Sequence, residues 1–269
     1  MGISRHRLAK VTALIALGGV AALGLVDRDS SSGSAAGSRP TNAEELSAQL
    51  SANDLALRQA IDAWRAGGDP PTAQPPREVM ASARYLQREV RSLARHPNLA
   101  RNTIALLPPP LGSEIRELTG AAHELRRLSS GWPPHDVRTG RPRPLAELMR
   151  YYDAAYRRYR VGQHYLAAVH LVESKFGRVK SDSVAGAKGP MQFLPSTWRI
   201  YGHGGDIHDP HDAILAAANL LHDAGAPGNY GRALYAYNPS GLYVDAVQRY
   251  ARLIKRDPYA VYFLYCWGP

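Results

Sequence analysis

The stretch "HYLAAVHLVESKFGR" (residues 164–178) sets one glutamate among apolar residues. Leu166, Val169, Glu173 and Phe176 follow one another by three, four and three, which puts them on one helix face. That face is the one a helix normally buries. A carboxyl group there loses water, which raises its pKa by disfavouring the charged form. The last turn before Gly177, the expected C′ glycine, adds the negative end of the helix dipole, acting in the same direction. Both effects keep Glu173 protonated near neutral pH, the state a general acid needs. A carboxylate paired with a local cation, Lys175 or Arg178, fits the same pattern, and the segment alone leaves the two readings level.

The neighbouring segment shifts the balance. "SVAGAKGPMQFLPSTWRIYG" (183–202) brings Gly186, Gly189 and Pro190 together, then Met191, Gln192 and Phe193, then Pro195 opening a helical turn. Glycine allows a backbone to approach a ligand closely. Gln192 offers both a donor and an acceptor, suited to the amide and hydroxyl groups of a sugar, between the apolar walls of Met191 and Phe193.

Four motifs in order, "VESKFG" (172–177), "GAKGPMQFLPSTW" (186–198), "DPHDAILAAANLL" (209–221) and "LYAYNPSGLYVDAV" (234–247), make the segment from about 145 to 255 similar to a known family. It resembles the lytic transglycosylases of the lysozyme-like superfamily, in the exported form found in actinobacteria. The resemblance implies a lysozyme-like catalytic domain at 145–269 that cleaves peptidoglycan. Glu173 would be the single general acid/base at the bond between N-acetylmuramic acid and N-acetylglucosamine. It would protonate the glycosidic oxygen, then take the proton of the muramoyl C6 hydroxyl as that oxygen closes on C1. Ser174, Gly189, Met191 and Gln192 would line the sugar subsites, with Tyr237 and Asn238 across the cleft. No cofactor or metal is called for.

That chemistry dispenses with a second carboxylate, which ordinary glycosidases hold about 5 Å (retaining) or about 6.5–9.5 Å (inverting) from the first. Asp209 and Asp212 are explained by a helix start at "DPHD" with Pro210 at N1. Asp182 or Asp206 holding a water would make the protein a hydrolytic muramidase. A cell-wall-binding or scaffolding protein without turnover is the third reading. "HGGDIHDPHD" (203–212) is rich in histidine and aspartate but matches no zinc spacing.

Outward from this core, "GWPPHDVRTGRPRP" (131–144) reads as a linker and residues 42–130 as a helical region of unstated role. There, Asn42 with Glu45 resembles a capping box. Leu46, Leu50, Leu55, Leu57, Ile61 and Trp64 mark one apolar side, and Val79, Ala83, Leu86, Val90 and Leu93 another. Helices are expected at 77–95, 113–129, 145–159, 230–237 and 240–255. No strand alternation is evident, so the fold class is mainly α.

The first residues carry Arg5, Arg7 and Lys10, followed by the uncharged run 11–26 and small residues around Ser34–Ala36. This is the layout of a signal peptide or N-terminal membrane anchor over 1–36, with a flexible tether over 27–41, and it implies an exported, cell-envelope or extracellular protein. Net charge is +10, which suits an anionic wall polymer or membrane surface. No arginine-rich base-reading helix or aromatic platform points to nucleic acid. The single cysteine, Cys266, permits no internal disulfide and reads as packed. Residues 42–130 leave room for docking in a cell-envelope complex.

Overall fold

A computed structural model of the chain describes residues 42–130 and 137–269. The expected signal or anchor, the expected tether and positions 131–136 of the expected linker lie outside them. Among the described residues the fold is almost wholly helical, with two isolated β-bridges, Thr139–Val179 and Lys188–Phe193. No helix there is long and apolar enough to cross a membrane.

The first helix, α1 (Ala43–Arg65), begins where Asn42 Oδ1 accepts the Glu45 N–H at 2.8 Å, satisfying one orphan donor of the first turn. It buries Leu46, Leu50, Leu57, Ile61 and Trp64, but Leu55, expected on the same side, is 61% exposed. Helix α2 (Arg77–Arg95) buries all five of its expected apolar positions. A short α3 (Pro97–Leu106), not separated in the sequence reading, then leads into α4 (Pro109–Ser129). The latter starts four residues earlier than expected, because prolines fit a first turn whose N–H groups have no intrahelical partner.

The second half contains α5 (Leu145–Tyr159), α6 (Gln163–Ser174), α7 (Pro195–Tyr201), α8 (Pro210–Asp223), α9 (Tyr230–Tyr237), α10 (Gly241–Arg256) and α11 (Ala260–Tyr265). Asp209 Oδ1 caps α8 by accepting from the N–H groups of His211 and Asp212, with Pro210 at N1 as the sequence implies. Helix α6 departs from the amphipathic expectation. It is buried on every side from Leu166 to Ser174, because α5, α8, α10 and α11 surround it. It also ends at Ser174, three residues before the expected glycine. Lys175, Phe176 and Gly177 all take positive φ (54°, 59° and 78°), a conformation that costs non-glycine residues energy.

One hydrophobic core runs through both halves of the chain. Helix α4 lies along α10, where Gly120 leaves room for the Arg249 guanidinium; a Cβ there would sit 2.8 Å from it. Glu117 accepts from Arg249 and Arg252. The closing residues tie α2 to the positive-φ turn after α6. Gln87 and Gly268 exchange two hydrogen bonds, and Arg178 donates to the carbonyls of Tyr265 (2.5 Å) and Trp267 (3.2 Å). Cys266 is buried there, and burial pushes its thiol up to about 12, so it stays protonated.

Candidate active site

The packing that surrounds α6 determines the state of its one carboxyl. Glu173 is 1% exposed, and burial raises its pKa to about 8, against the lowering effect of a hydrogen bond from Tyr243. That bond, Tyr243 Oη to Glu173 Oε1, measures 2.6 Å. Neither neighbouring cation is a partner. Arg178 is occupied by the tail carbonyls, and Lys175 makes no bond to Glu173. The ion-pair reading of the glutamate therefore fails. At neutral pH Glu173 is mostly a protonated acid.

The glycine-containing loop is tied to the end of α6 by Ser174. Its Oγ donates to the Pro190 carbonyl at 2.5 Å and accepts the Gly177 N–H at 2.8 Å. Ser174 is fully buried, and these bonds make it the link between the positive-φ turn and the loop. Gly189 takes φ 73°, and a Cβ there would lie 1.9 Å from the Ile207 carbonyl oxygen, so only glycine fits. Lys188 and Phe193 then pair through both backbone bonds and fold the loop into a hairpin-like turn. Met191 is buried at its tip, and Gln192 takes φ 49°.

On the other side, Tyr237 and Tyr243 lie with parallel rings, centroids 6.3 Å apart and planes 2° from parallel. Tyr237 donates to the Met191 carbonyl at 2.6 Å and so fixes the loop, while Tyr243 holds the acid. The sequence reading singled out Tyr237 and passed over Tyr243. The pair is six residues apart, across the break between α9 and α10, and no helical periodicity spans that break.

Two further residues named from the sequence carry an unmet bonding capacity. Gln192 donates to the Gly189 carbonyl, yet its Oε1 is buried without a partner. Asn238 Oδ1 is buried and unpartnered as well. A buried carbonyl oxygen with no donor is costly, and both lie beside elements that form the site. Of the acids weighed as second carboxylates, Asp182 pairs with Lys188 at 2.8 Å, and Asp206 accepts the His208 N–H in its own loop. Neither contacts Glu173. Asp209, His211 and Asp212 stand close enough to share an ion, but their oxygens already accept backbone N–H groups at the positive end of α8.

No curated protein and no solved structure matches the chain significantly. The family model described as the transglycosylase SLT domain matches residues 150–257. Since that span holds the acid, the loop and both tyrosines, the segment 150–257 belongs to the transglycosylase SLT domain family of the lysozyme-like superfamily.

Proposed function

We propose that this protein is a lytic transglycosylase that cleaves the β-1,4 bond between N-acetylmuramic acid and N-acetylglucosamine in peptidoglycan without consuming water. Membership of the SLT family carries the substrate class. One observation supports the mechanism above all: Glu173 is a buried carboxyl whose only hydrogen-bond partner among the described residues is a tyrosine, with no second carboxylate in contact.

In this reading Glu173 gives its proton to the glycosidic oxygen as the C1–O bond breaks. The resulting carboxylate, steadied by the Tyr243 hydroxyl, removes the proton from the muramoyl C6 hydroxyl while that oxygen bonds to C1. The proton balance closes on one residue, and the product is a 1,6-anhydromuramoyl end. The unpartnered oxygens of Gln192 and Asn238 accept from the acetamido or hydroxyl groups of the sugars, and Met191 supplies an apolar contact. Export to the cell envelope, through the basic and apolar N-terminal segment, puts the enzyme beside its substrate. The charge of +10 favours adhesion to anionic wall polymers.

Mass spectrometry of purified peptidoglycan digested with the full chain tests the proposal, beside a Glu173→Gln control. Fragments lighter than muramidase products by one water, absent from the control, are expected. Hydrolysed ends would overturn the mechanism and turn attention to Asp182 and Asp206. No fragments, with wall binding retained, would favour the binding-protein reading.

A further inference from the structure

No step of the mechanism above uses residues 42–130, yet one of their helices is joined to the turn that follows the acid. Helix α6 stops at Ser174, and the chain passes through Lys175, Phe176 and Gly177, all at positive φ. Only glycine takes that conformation without cost, so Lys175 and Phe176 must be held by their surroundings. Backbone bonds close the turn on α6. The Phe176 N–H donates to the His170 carbonyl at 3.2 Å, and the Val179 N–H to the Ser174 carbonyl at 3.0 Å. These bonds give the turn its shape; they do not place it against the rest of the protein.

Its place is set by the closing residues. Arg178 donates through Nε to the Trp267 carbonyl and through Nη2 to the Tyr265 carbonyl, and its guanidinium lies 5.0 Å from the centre of the Tyr265 ring. Phe176 meets the same ring, with centroids 5.8 Å apart. Helix α2 grips the tail from the other side. Gln87 Nε2 donates to the Gly268 carbonyl at 2.7 Å, and Gln87 Oε1 accepts the Gly268 N–H at 3.0 Å. Gln87 is buried, so its amide spends a donor and an acceptor on one backbone unit. Trp267, between the two grips, is buried and packs edge-on against Tyr250 of α10.

The turn also meets α2 through charge. Lys175 is buried, and its ammonium is lowered by burial and by the like charge of Arg91 on α2. Like charges repel, so the contacts of Gln87, Arg178 and Trp267 outweigh that repulsion. Glu173 needs such support. Among the described residues its carboxyl has one hydrogen bond, from Tyr243, and no cation. Its position therefore depends on the backbone that carries it, and a small displacement of a reacting group slows a reaction steeply.

We propose that Gln87 and Arg178 are positioning residues: they clamp the closing residues 265–268 between α2 and the turn, and so fix the end of α6 that carries Glu173. The helical region 42–130 is then part of the catalytic unit. The inference rests on the transglycosylase reading above.

The test uses the full chain carrying Gln87→Met or Arg178→Met, beside Arg178→Lys, which keeps a cation able to donate to the tail carbonyls. Two quantities are measured. One is the rate of anhydro-ended product from purified peptidoglycan, per folded molecule. The other is the titration of Glu173, read from unfolding stability between about pH 5 and pH 9 with and without Glu173→Gln in each background. The titratable groups facing Glu173 are Tyr243 and Tyr237, and burial holds both hydroxyls well above their ordinary range, so neither confuses this reading.

Both methionine variants should turn over about tenfold more slowly, and Arg178→Lys should stay within about threefold of the unaltered chain. The pH-dependent gain from Glu173→Gln should shrink in the methionine variants, because a displaced carboxyl regains water and its pKa falls towards the ordinary 4.5. A clamp that only stabilises the fold would leave both the rate per folded molecule and the titration unchanged, and that result overturns the proposal. A slower rate with an unchanged titration overturns it too, since the acid would not have moved. Should Arg178→Met fail to fold, Gln87→Met decides alone, because its side-chain hydrogen bonds reach only the tail. Absence of anhydro product from the unaltered chain would overturn the reaction reading, while the titration would still decide the clamp.

Discussion

The helices before residue 130 and those after residue 145 share one hydrophobic core, but they treat buried charge-bearing groups differently. In the first half, the buried charge is matched. Arg58 on α1 donates to Asp54, to Glu114 at 2.7 Å on α4 and to Asp257 at 3.0 Å beyond α10. Glu114 is pushed well above the ordinary carboxyl range by burial and by its hydrogen bond with Asp257, which reduces the repulsion among three acids. In the second half, a buried carboxyl and a buried ammonium each lack an opposite charge. Glu173 has no cation, and Gln192 and Asn238 keep oxygens without donors. Burial pulls the Lys175 ammonium down to about 7.

Backbone strain divides the same way. Every non-glycine residue with positive φ among the described residues, from Arg160 through Lys175, Phe176 and Gln192 to His203, lies in the second half. The contrast teaches where to look for function: backbone strain and a buried carboxyl without a cation persist only where surrounding packing holds them, and both meet at the candidate site.

The largest expected effect breaks the matched half. Arg58→Met leaves Asp54, Glu114 and Asp257 crowded without their cation, and it should lower unfolding stability by about 3–5 kcal/mol in denaturant titrations. Turnover per folded molecule should stay near that of the unaltered chain. A proportionate loss of turnover would mean that the two halves are not separable in this way.

A smaller effect probes the unmatched half. Because the folded-state pKa of Glu173 is about 8, against an ordinary 4.5, the folded state holds the proton more tightly than the unfolded chain. Its contribution to stability is fully present below about pH 4.5 and is lost as pH rises through about 8. Glu173→Gln lacks this loss. Its stability relative to the unaltered protein should therefore rise between pH 5 and pH 9, on the order of 2–4 kcal/mol, measured by thermal or denaturant unfolding. A difference that does not change with pH would show that the glutamate is not buried as an acid.

The smallest effect separates the two tyrosines. The Tyr243 hydroxyl stabilises the charged form of Glu173, so Tyr243→Phe should move the alkaline limb of the pH–rate profile upward. Tyr237→Phe releases the Met191 carbonyl and should weaken substrate binding with little shift of that limb. The same shift from both variants would erase the distinction between holding the acid and holding the loop.

Much of the molecule is legible in the amino-acid order because it depends on local chemistry. Asn42 and Asp209 are capping residues whatever surrounds them, and Pro210 fits only a helix start or a turn. The regular apolar spacing of α2 announces a helix. Glu173, Met191, Gln192, Tyr237 and Asn238 were all named from the motifs, and the structure brings the helix end, the loop and the tyrosine pair into one site. Less legible were features that depend on contacts distant in sequence. Gly177 looked like the end of α6, but the Ser174 and Arg178 bonds hold the preceding two residues in a left-handed turn. Leu55 obeys the apolar pattern and still faces outward.

The sequence by itself therefore determined the helical class, the likeness of residues 150–257 to the SLT domain and the candidate acid, since periodicity, caps and a dense local motif are each written within a few turns of chain. Tertiary structure alone decided that Tyr243 and not a cation meets Glu173, and that Ser174 joins the turn to the loop. Each of these is a meeting of groups from separate elements, made by the common core that packs α4 on α10 and encloses α6.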